Sequence, residues 1–247
     1  MRFAALADIH GNRSAFEAVL ADMDALGVTE AVHLGDYFSG PLDAAGTAAL
    51  LARRAYLSIR GNHDRWLVEQ DRSEMGASDS VAYDNLNAQD LAWLASLPPT
   101  LEVFDRVLLC HGTPRNDQVY WLERVRPDGG VRPATLAEIE AEAEGIAARL
   151  ILCAHTHIPR IVRLRDGRII LNPGSIGCPA YDDDKPVYHQ MQTGTPNASY
   201  AILEKRGRDW SATFRSVPYR TDEMAALARK NGREDWARGL ATGWFDG

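Results

Sequence analysis

Short apolar runs recur along this chain, and each breaks off abruptly at a cluster of polar residues. Residues 3–7 stop at Asp8, residues 31–34 at Gly35-Asp36, residues 55–59 at Arg60, and residues 150–154 at His155. Apolar runs of this length, without polar alternation, predict strands buried on both faces. The segments between them have helical spacing. Ser14-Ala15-Phe16-Glu17 reads as a capping box that opens a helix with Phe16, Val19, Leu20, Met23 and Leu26 on one face, ended by Gly27. Pro41 is expected to start a second helix that runs to about Arg54. Strand, polar cluster and helix in repetition predict parallel βαβ units.

Further along, residues 87–97 predict a helix stopped by Pro98-Pro99, and residues 101–104 and 106–110 predict paired strands. Residues 113–133 read as a long loop and residues 136–148 as an Ala/Glu-rich helix. Beyond His155 the pattern turns antiparallel. Residues 160–164 and 168–171 flank an Asp166-Gly167 turn, residues 199–205 pair with 210–217, and the segment from Thr221 reads as helical. Residues 181–197 read as a loop insertion. With no internal repeat and no linker-like tract, we expect a single domain over residues 1–247, built from two packed sheets with helices outside.

A hydrophobic content of 45% in 247 residues supports a substantial core without a structural metal or disulfide. The formal charge of −7 argues against stable binding to nucleic acid or acidic membranes, both of which favour a basic surface. Small phosphate-bearing substrates stay open, because bound cations reverse the local field. No apolar stretch approaches the ~20 residues of a membrane span, and the opening run is too short for a signal peptide. Cys110, Cys153 and Cys178 are odd in number and form no CxxC pair, which points to a reducing cytoplasm rather than a disulfide framework. We read them as small apolar residues of buried strands.

The polar clusters carry the chemistry. They are Asp8-Ile9-His10, Gly35-Asp36, Gly61-Asn62-His63-Asp64, His111-Gly112 and His155-Thr156-His157, and they hold five of the seven histidines. Residues just past the carboxyl ends of parallel strands converge in one crevice. Asp8 and His10 can point the same way and hold one cation. Asp36 has two oxygens with which to bridge two cations, and Asn62 offers an oxygen without charge. His155 and His157 could share one cation or serve neighbouring ones. Mixed oxygen and nitrogen ligation suits Mn, Fe, Co, Ni or Zn better than Ca or Mg. His33, inside a strand, reads as a core histidine, His189 as surface or loop packing, and Asp182-Asp183-Asp184 as a solvated acidic turn.

Taken in order, DxH, GD, GNHD, H and HxH over residues 8–157 resemble the calcineurin-like metallophosphoesterases. The match is best to the small bacterial group called YfcE-like or diadenosine tetraphosphatase-like. His111-Gly112-Thr113-Pro114-Arg115 and Asn172-Pro173-Gly174-Ser175-Ile176-Gly177 resemble two later signatures of that group. The resemblance implies a four-layered α/β/β/α sandwich of two mixed sheets. It also implies two divalent ions, with Mn²⁺ the first expectation and Fe, Zn, Ni or Co the others. Asp8, His10, Asp36 and His157 would surround one ion. Asp36 would bridge to a second, completed by Asn62, His111 and His155. His63 would be the acid beside the leaving group, oriented by Asp64. The implied reaction is hydrolysis of a phosphodiester or small phosphomonoester by in-line attack of a hydroxide that bridges the two ions.

Two departures from the family pattern stand out. Ala154 replaces a glycine before His155, and Gly35-Asp36-Tyr37-Phe38-Ser39-Gly40 lacks the arginine with which Ser/Thr protein phosphatases grip phosphate. Alternative readings are a nucleoside polyphosphate pyrophosphatase, a protein-serine phosphatase, or a metal-poor scaffold of the same fold. The loop after His111 could act as a lid, with Arg115 for a second phosphate and Tyr120 for a base. It could equally be an ordinary loop with Tyr120 and Trp121 in the core.

Overall fold

The computed structural model describes residues 1–104 and 106–245. The first half runs β1 (Arg2–Leu6), α1 (Arg13–Ala25), β2 (Ala31–His33), α2 (Ala44–Leu51), β3 (Leu57–Ser58), α3 (Asn62–Glu69), α4 (Ala77–Asn85) and α5 (Ala88–Ser96). A mixed middle follows: β4 (Thr100–Val103), β5 (Val107–Cys110), β6 (Glu123–Val125), β7 (Val131–Pro133), α6 (Leu136–Glu142) and β8 (Leu150–Leu152). The chain closes with β9 (Arg160–Arg163), β10 (Ile169–Asn172), β11 (Ala180–Asp183), β12 (His189–Gln192), β13 (Ala198–Arg206), β14 (Asp209–Val217), α7 (Thr221–Lys230) and α8 (Glu234–Thr242).

Two five-stranded mixed sheets form the centre, ordered β14-β13-β1-β2-β3 and β4-β5-β8-β10-β9. Each has three parallel strands at its heart: β1, β2 and β3 in the first, β5, β8 and β10 in the second. Period-two alternation assigns the faces. Phe3 and Ala5 point inward with Val32, Leu34 and Ile59, and meet Val107, Leu109, Leu150, Leu152 and Leu171 of the other sheet. Ala4 and Leu6 point outward into the apolar stripe of α1, made by Phe16, Val19, Leu20 and Met23. On the far side, Ile151 and Ile170 meet Ile139 of α6. The layers are therefore helices, sheet, sheet and helix. α7 and α8 close around Leu42 and Cys178 in a separate apolar cluster.

Some boundaries differ from the sequence expectation. The cap of α1 is Asn12, whose side chain accepts from Ala15 N at 3.1 Å, rather than Ser14. α2 starts at Ala44 because Asp43 caps it, three residues beyond Pro41. The expected loop 113–133 contains the β6–β7 hairpin, and the expected insertion 181–197 contains most of the β11–β12 hairpin. The three cysteines are buried and free. No described helix is long and apolar enough to cross a membrane.

Candidate metal centre

The motif loops leave their strands in parallel and stay hydrogen-bonded to each other. Asp8 N donates to Gly35 O, His10 N to Asp36 O, and Ala154 N to His111 O. Keeping these pairs while turning sharply toward a helix demands unusual backbone. Of the seven described non-glycine residues with positive φ, five are Asp8 (54°), His10 (51°), Asp36 (58°), His155 (70°) and His157 (61°). Each left-handed residue costs on the order of 1 kcal/mol or more, and such residues gather where side chains must converge.

They do converge. Asp8, His10 and His157 form one triad and Asp36, His111 and His155 another, with the candidate ligand atoms of each within 4.8 Å of one another. Asp36 Oδ2 lies 3.2 Å from His111 Nε2 and 3.9 Å from His10 Nε2, so it faces both triads. Each triad draws on both sheets: Asp8, His10 and Asp36 follow β1 and β2, whereas His111, His155 and His157 follow β5 and β8. The loop after β10 closes over the first motif. Ser175 Oγ donates to Asp8 O, and a Cβ at Gly177 would lie 1.7 Å from Ile9 O.

The histidines are oriented for ligation. Nδ1 of His10, His111 and His157 donates to the carbonyls of Ser39 (2.7 Å), Leu34 (2.8 Å) and Cys178 (2.6 Å), which turns each Nε2 inward. His155 is reversed. Its Nε2 donates to Gln118 O at 3.2 Å, leaving Nδ1 as its free nitrogen. Burial keeps three of these rings neutral, as ligands must be: it lowers His10 to about 4, His155 to about 3, and His157 as well. At His111 burial opposes the charged ring, but Asp36 beside it prevails and lifts it to about 10. The buried polar atoms without a hydrogen-bond partner include four from the motif residues, Asp8 Oδ1 and Oδ2, Asn62 Oδ1 and His111 Nε2. Unpartnered carboxylate oxygens at this depth call for a cation. This donor set fits two divalent transition ions.

A model of the calcineurin-like phosphoesterase superfamily domain matches residues 1–203. The chain belongs to this superfamily. The chain is similar to a metallophosphoesterase from Sphaerobacter thermophilus, at 25% identity over 99% of each chain with a TM-score of 0.73. It shares its fold with the hypothetical protein PH1004 from Pyrococcus horikoshii OT3, at 18% identity over 98% of each chain with a TM-score of 0.74. It is also 25% identical over 247 residues, 94% of each chain, to the uncharacterized protein MJ0912 of Methanocaldococcus jannaschii.

The other expected site residues are placed as follows. Asn62 and His63 begin α3, next to the triads, and His63 N donates to Asp36 Oδ1 at 3.1 Å. Asp64 does not orient His63. Its carboxylate accepts from Asp36 N (2.7 Å), Gly61 N (2.9 Å) and Tyr37 N (3.0 Å), and so clamps two motif loops together. The groups on His63 Nδ1 are Asp79 Oδ1 at 2.8 Å and Ser39 Oγ at 3.0 Å. Arg115 lies off the cavity, exposed, donating to the carbonyls of Glu142 and Glu144. Arg124 reaches the cavity wall, yet its guanidinium is occupied by the carbonyls of Tyr120, Trp121 and Glu123.

Tyr120 does line the cavity, its ring 5.0 Å from that of His155 and its hydroxyl bonded to Tyr181 and His189. Trp121 is buried, donating to Ile139 O. His189, expected as surface or loop packing, is buried at the start of β12. His33 is a core residue as expected, its ring stacked on Tyr37 at 4.3 Å. Asp79, Trp66 and Trp236 line the cavity and lie in no motif of the sequence, and Ser39, inside the segment 35–40, lines it too.

Gly61 shows how tight the centre is. A Cβ there would lie 2.1 Å from Asp36 Oδ1 and 2.9 Å from Asp36 N. Gly61→Ala is expected to displace Asp36 and to lower turnover about 100-fold, since a misplacement near 1 Å costs that much. Metal content and initial rates of the purified variant measure this, and an unchanged rate would show that Asp36 tolerates the shift.

Proposed function

We propose that this phosphoesterase hydrolyses a phosphodiester or small phosphomonoester with two divalent cations, Asp8, His10 and His157 holding one and Asn62, His111 and His155 the other. Asp36 would serve both. The observation that carries the reading is the pair of triads sharing one carboxylate, together with the buried, unpartnered oxygens of Asp8 and Asn62. Two bound cations would neutralise charge on the phosphoryl oxygens and lower the pKa of the attacking water.

The chain's own residues supply the rest. His63 lies beside Asn62, and with Nδ1 donating to Asp79 its Nε2 is left to protonate the departing oxygen. Burial opposes its charged form, but Asp79 and Asp36 prevail and raise it to about 9, which suits it to carry a proton for the leaving group. The cavity encloses about 960 Å³. Beyond the triads its walls carry Asp79, Glu123, Glu142, Asp182, Asp183 and Asp184 against Arg124, Arg233 and Lys185. That excess of acid favours a substrate with one phosphoryl group over a polyphosphate chain.

The test is elemental analysis of the purified protein together with turnover of bis-p-nitrophenyl phosphate and p-nitrophenyl phosphate, with and without added Mn²⁺. About two ions per chain and Mn-dependent cleavage are expected, and the preferred ester separates diesterase from monoesterase. No bound metal and no cleavage with any cation would overturn the proposal in favour of a scaffold. His63→Ala is expected to retain both ions while lowering turnover about 100-fold, most for poor leaving groups. Loss of metal in that variant would place His63 among the ligands instead.

A further inference from the structure

We infer that Asp79, from a helix outside every recognisable motif, is the positioning residue that fixes His63 for proton donation. The inference rests on the proposed role of His63. Asp79 is buried in the first turn of α4, with Oδ1 at 2.8 Å from His63 Nδ1. A carboxylate can only accept, so the proton of that contact sits on Nδ1. Ser39 Oγ, 3.0 Å from the same nitrogen, is then a second acceptor and cannot donate to it. The charge-assisted bond to Asp79 is the stronger of the two. It holds the ring in one tautomer, with Nε2 as the nitrogen that gives and takes the proton.

Removing the carboxylate reverses this arrangement. The Ser39 hydroxyl becomes free to donate to Nδ1, the neutral ring moves its proton to Nε2, and the acid is no longer held in its working form.

The placement of Asp79 depends on distant parts of the chain. Ser78 O accepts from Gly40 N at 3.3 Å, and Ser78 Oγ accepts from Arg233 Nη1 at 2.8 Å. Arg233 is held in turn by the carboxylate of Asp235. The segment just ahead of α8 therefore anchors the turn that carries Asp79. This gives the C-terminal helices, which lie beyond the motif loops in the sequence, a part in setting the acid.

The experiment compares the Mn-loaded wild type with Asp79→Asn and with the exchange variant Ser39→Asp/Asp79→Ser. Substrates are a phosphodiester with a p-nitrophenyl leaving group and one with an alkyl leaving group. Asp79→Asn should lower kcat for the alkyl ester about 10- to 100-fold, with KM and bound metal unchanged and the p-nitrophenyl ester little affected. The exchange variant should recover at least about tenfold of that loss, because it restores a carboxylate on the other side of the same nitrogen.

Equal losses on both esters, or an unaltered alkyl rate, would overturn the inference. An exchange variant that folds without rescue would do the same. If the wild type cleaves neither ester, the phosphoesterase reading fails, and the tautomer of His63, read from ¹⁵N chemical shifts of labelled wild type and Asp79→Ala, decides about Asp79 separately. Measured at a pH high enough to leave the ring neutral, above about 9 for the wild type, protonation at Nδ1 in the wild type and at Nε2 in the variant is expected. The same tautomer in both would overturn the inference.

Discussion

Asp36→Asn is expected to lower metal-dependent turnover by at least about 1,000-fold, a loss near 4 kcal/mol in transition-state stabilisation. The substitution keeps the shape and leaves an oxygen able to accept from His63 N, a bond of 3.1 Å in the wild type. What it removes is the charge at Oδ2, the atom that faces His111 at 3.2 Å and His10 at 3.9 Å. Both triads lose their shared anion together, so bound metal should fall from about two ions per chain to fewer than one. Elemental analysis and initial rates measure the two effects. The metal-free variant should unfold at a lower temperature than the metal-free wild type, because it breaks the buried pair between Asp36 Oδ2 and His111 Nε2 at 3.2 Å. Near-normal turnover in this variant would sink the two-ion assignment.

Asp64→Ala should act on folding before it acts on chemistry. Its fully buried carboxylate accepts three backbone N–H groups, from Asp36, Tyr37 and Gly61. Truncation leaves three buried donors unpaired at about 1–3 kcal/mol each, for an expected loss of about 3–5 kcal/mol after partial relaxation. Urea unfolding of the metal-free variant reads this, with the midpoint falling and the slope unchanged. If stability holds while only turnover on poor leaving groups suffers, Asp64 acts through His63 and the clamp is secondary.

Those two aspartates show what the sequence could convey. The convergence of Asp8, His10, Asp36, Asn62, His111, His155 and His157 is legible because strand ends follow from apolar runs, and parallel strands deliver their ends to one place. The partner of a side chain is not encoded in that way. Asp64 follows His63 directly and was expected to orient it, yet on the first turn of α3 its carboxylate points back to the loop amides of Asp36 and Gly61. Asp79, sixteen residues after His63, sits in α4. The sequence of that helix, ASDSVAYDN, has too few apolar residues to announce a helix at all.

Arg115 reads as a phosphate grip until the carbonyls of Glu142 and Glu144 are seen to hold it outside the cavity. The hairpins β6–β7 and β11–β12 escaped notice for a different reason. Their strands are three or four residues long and mostly polar, so no periodicity can emerge. The burial of His189 follows from the second hairpin, which brings it to the hydroxyl of Tyr120.

Each triad borrows residues from loops of both sheets, and this makes the centre mechanical as well as chemical. An ion seated in either triad clasps one sheet to the other, so its binding energy adds directly to the apolar contact between them. At a hundred times its dissociation constant one such ion contributes about 2.7 kcal/mol of stability. The firmness of the sandwich should therefore follow the supply of cations around it, and chelation would loosen the seam between the sheets as well as stop the reaction.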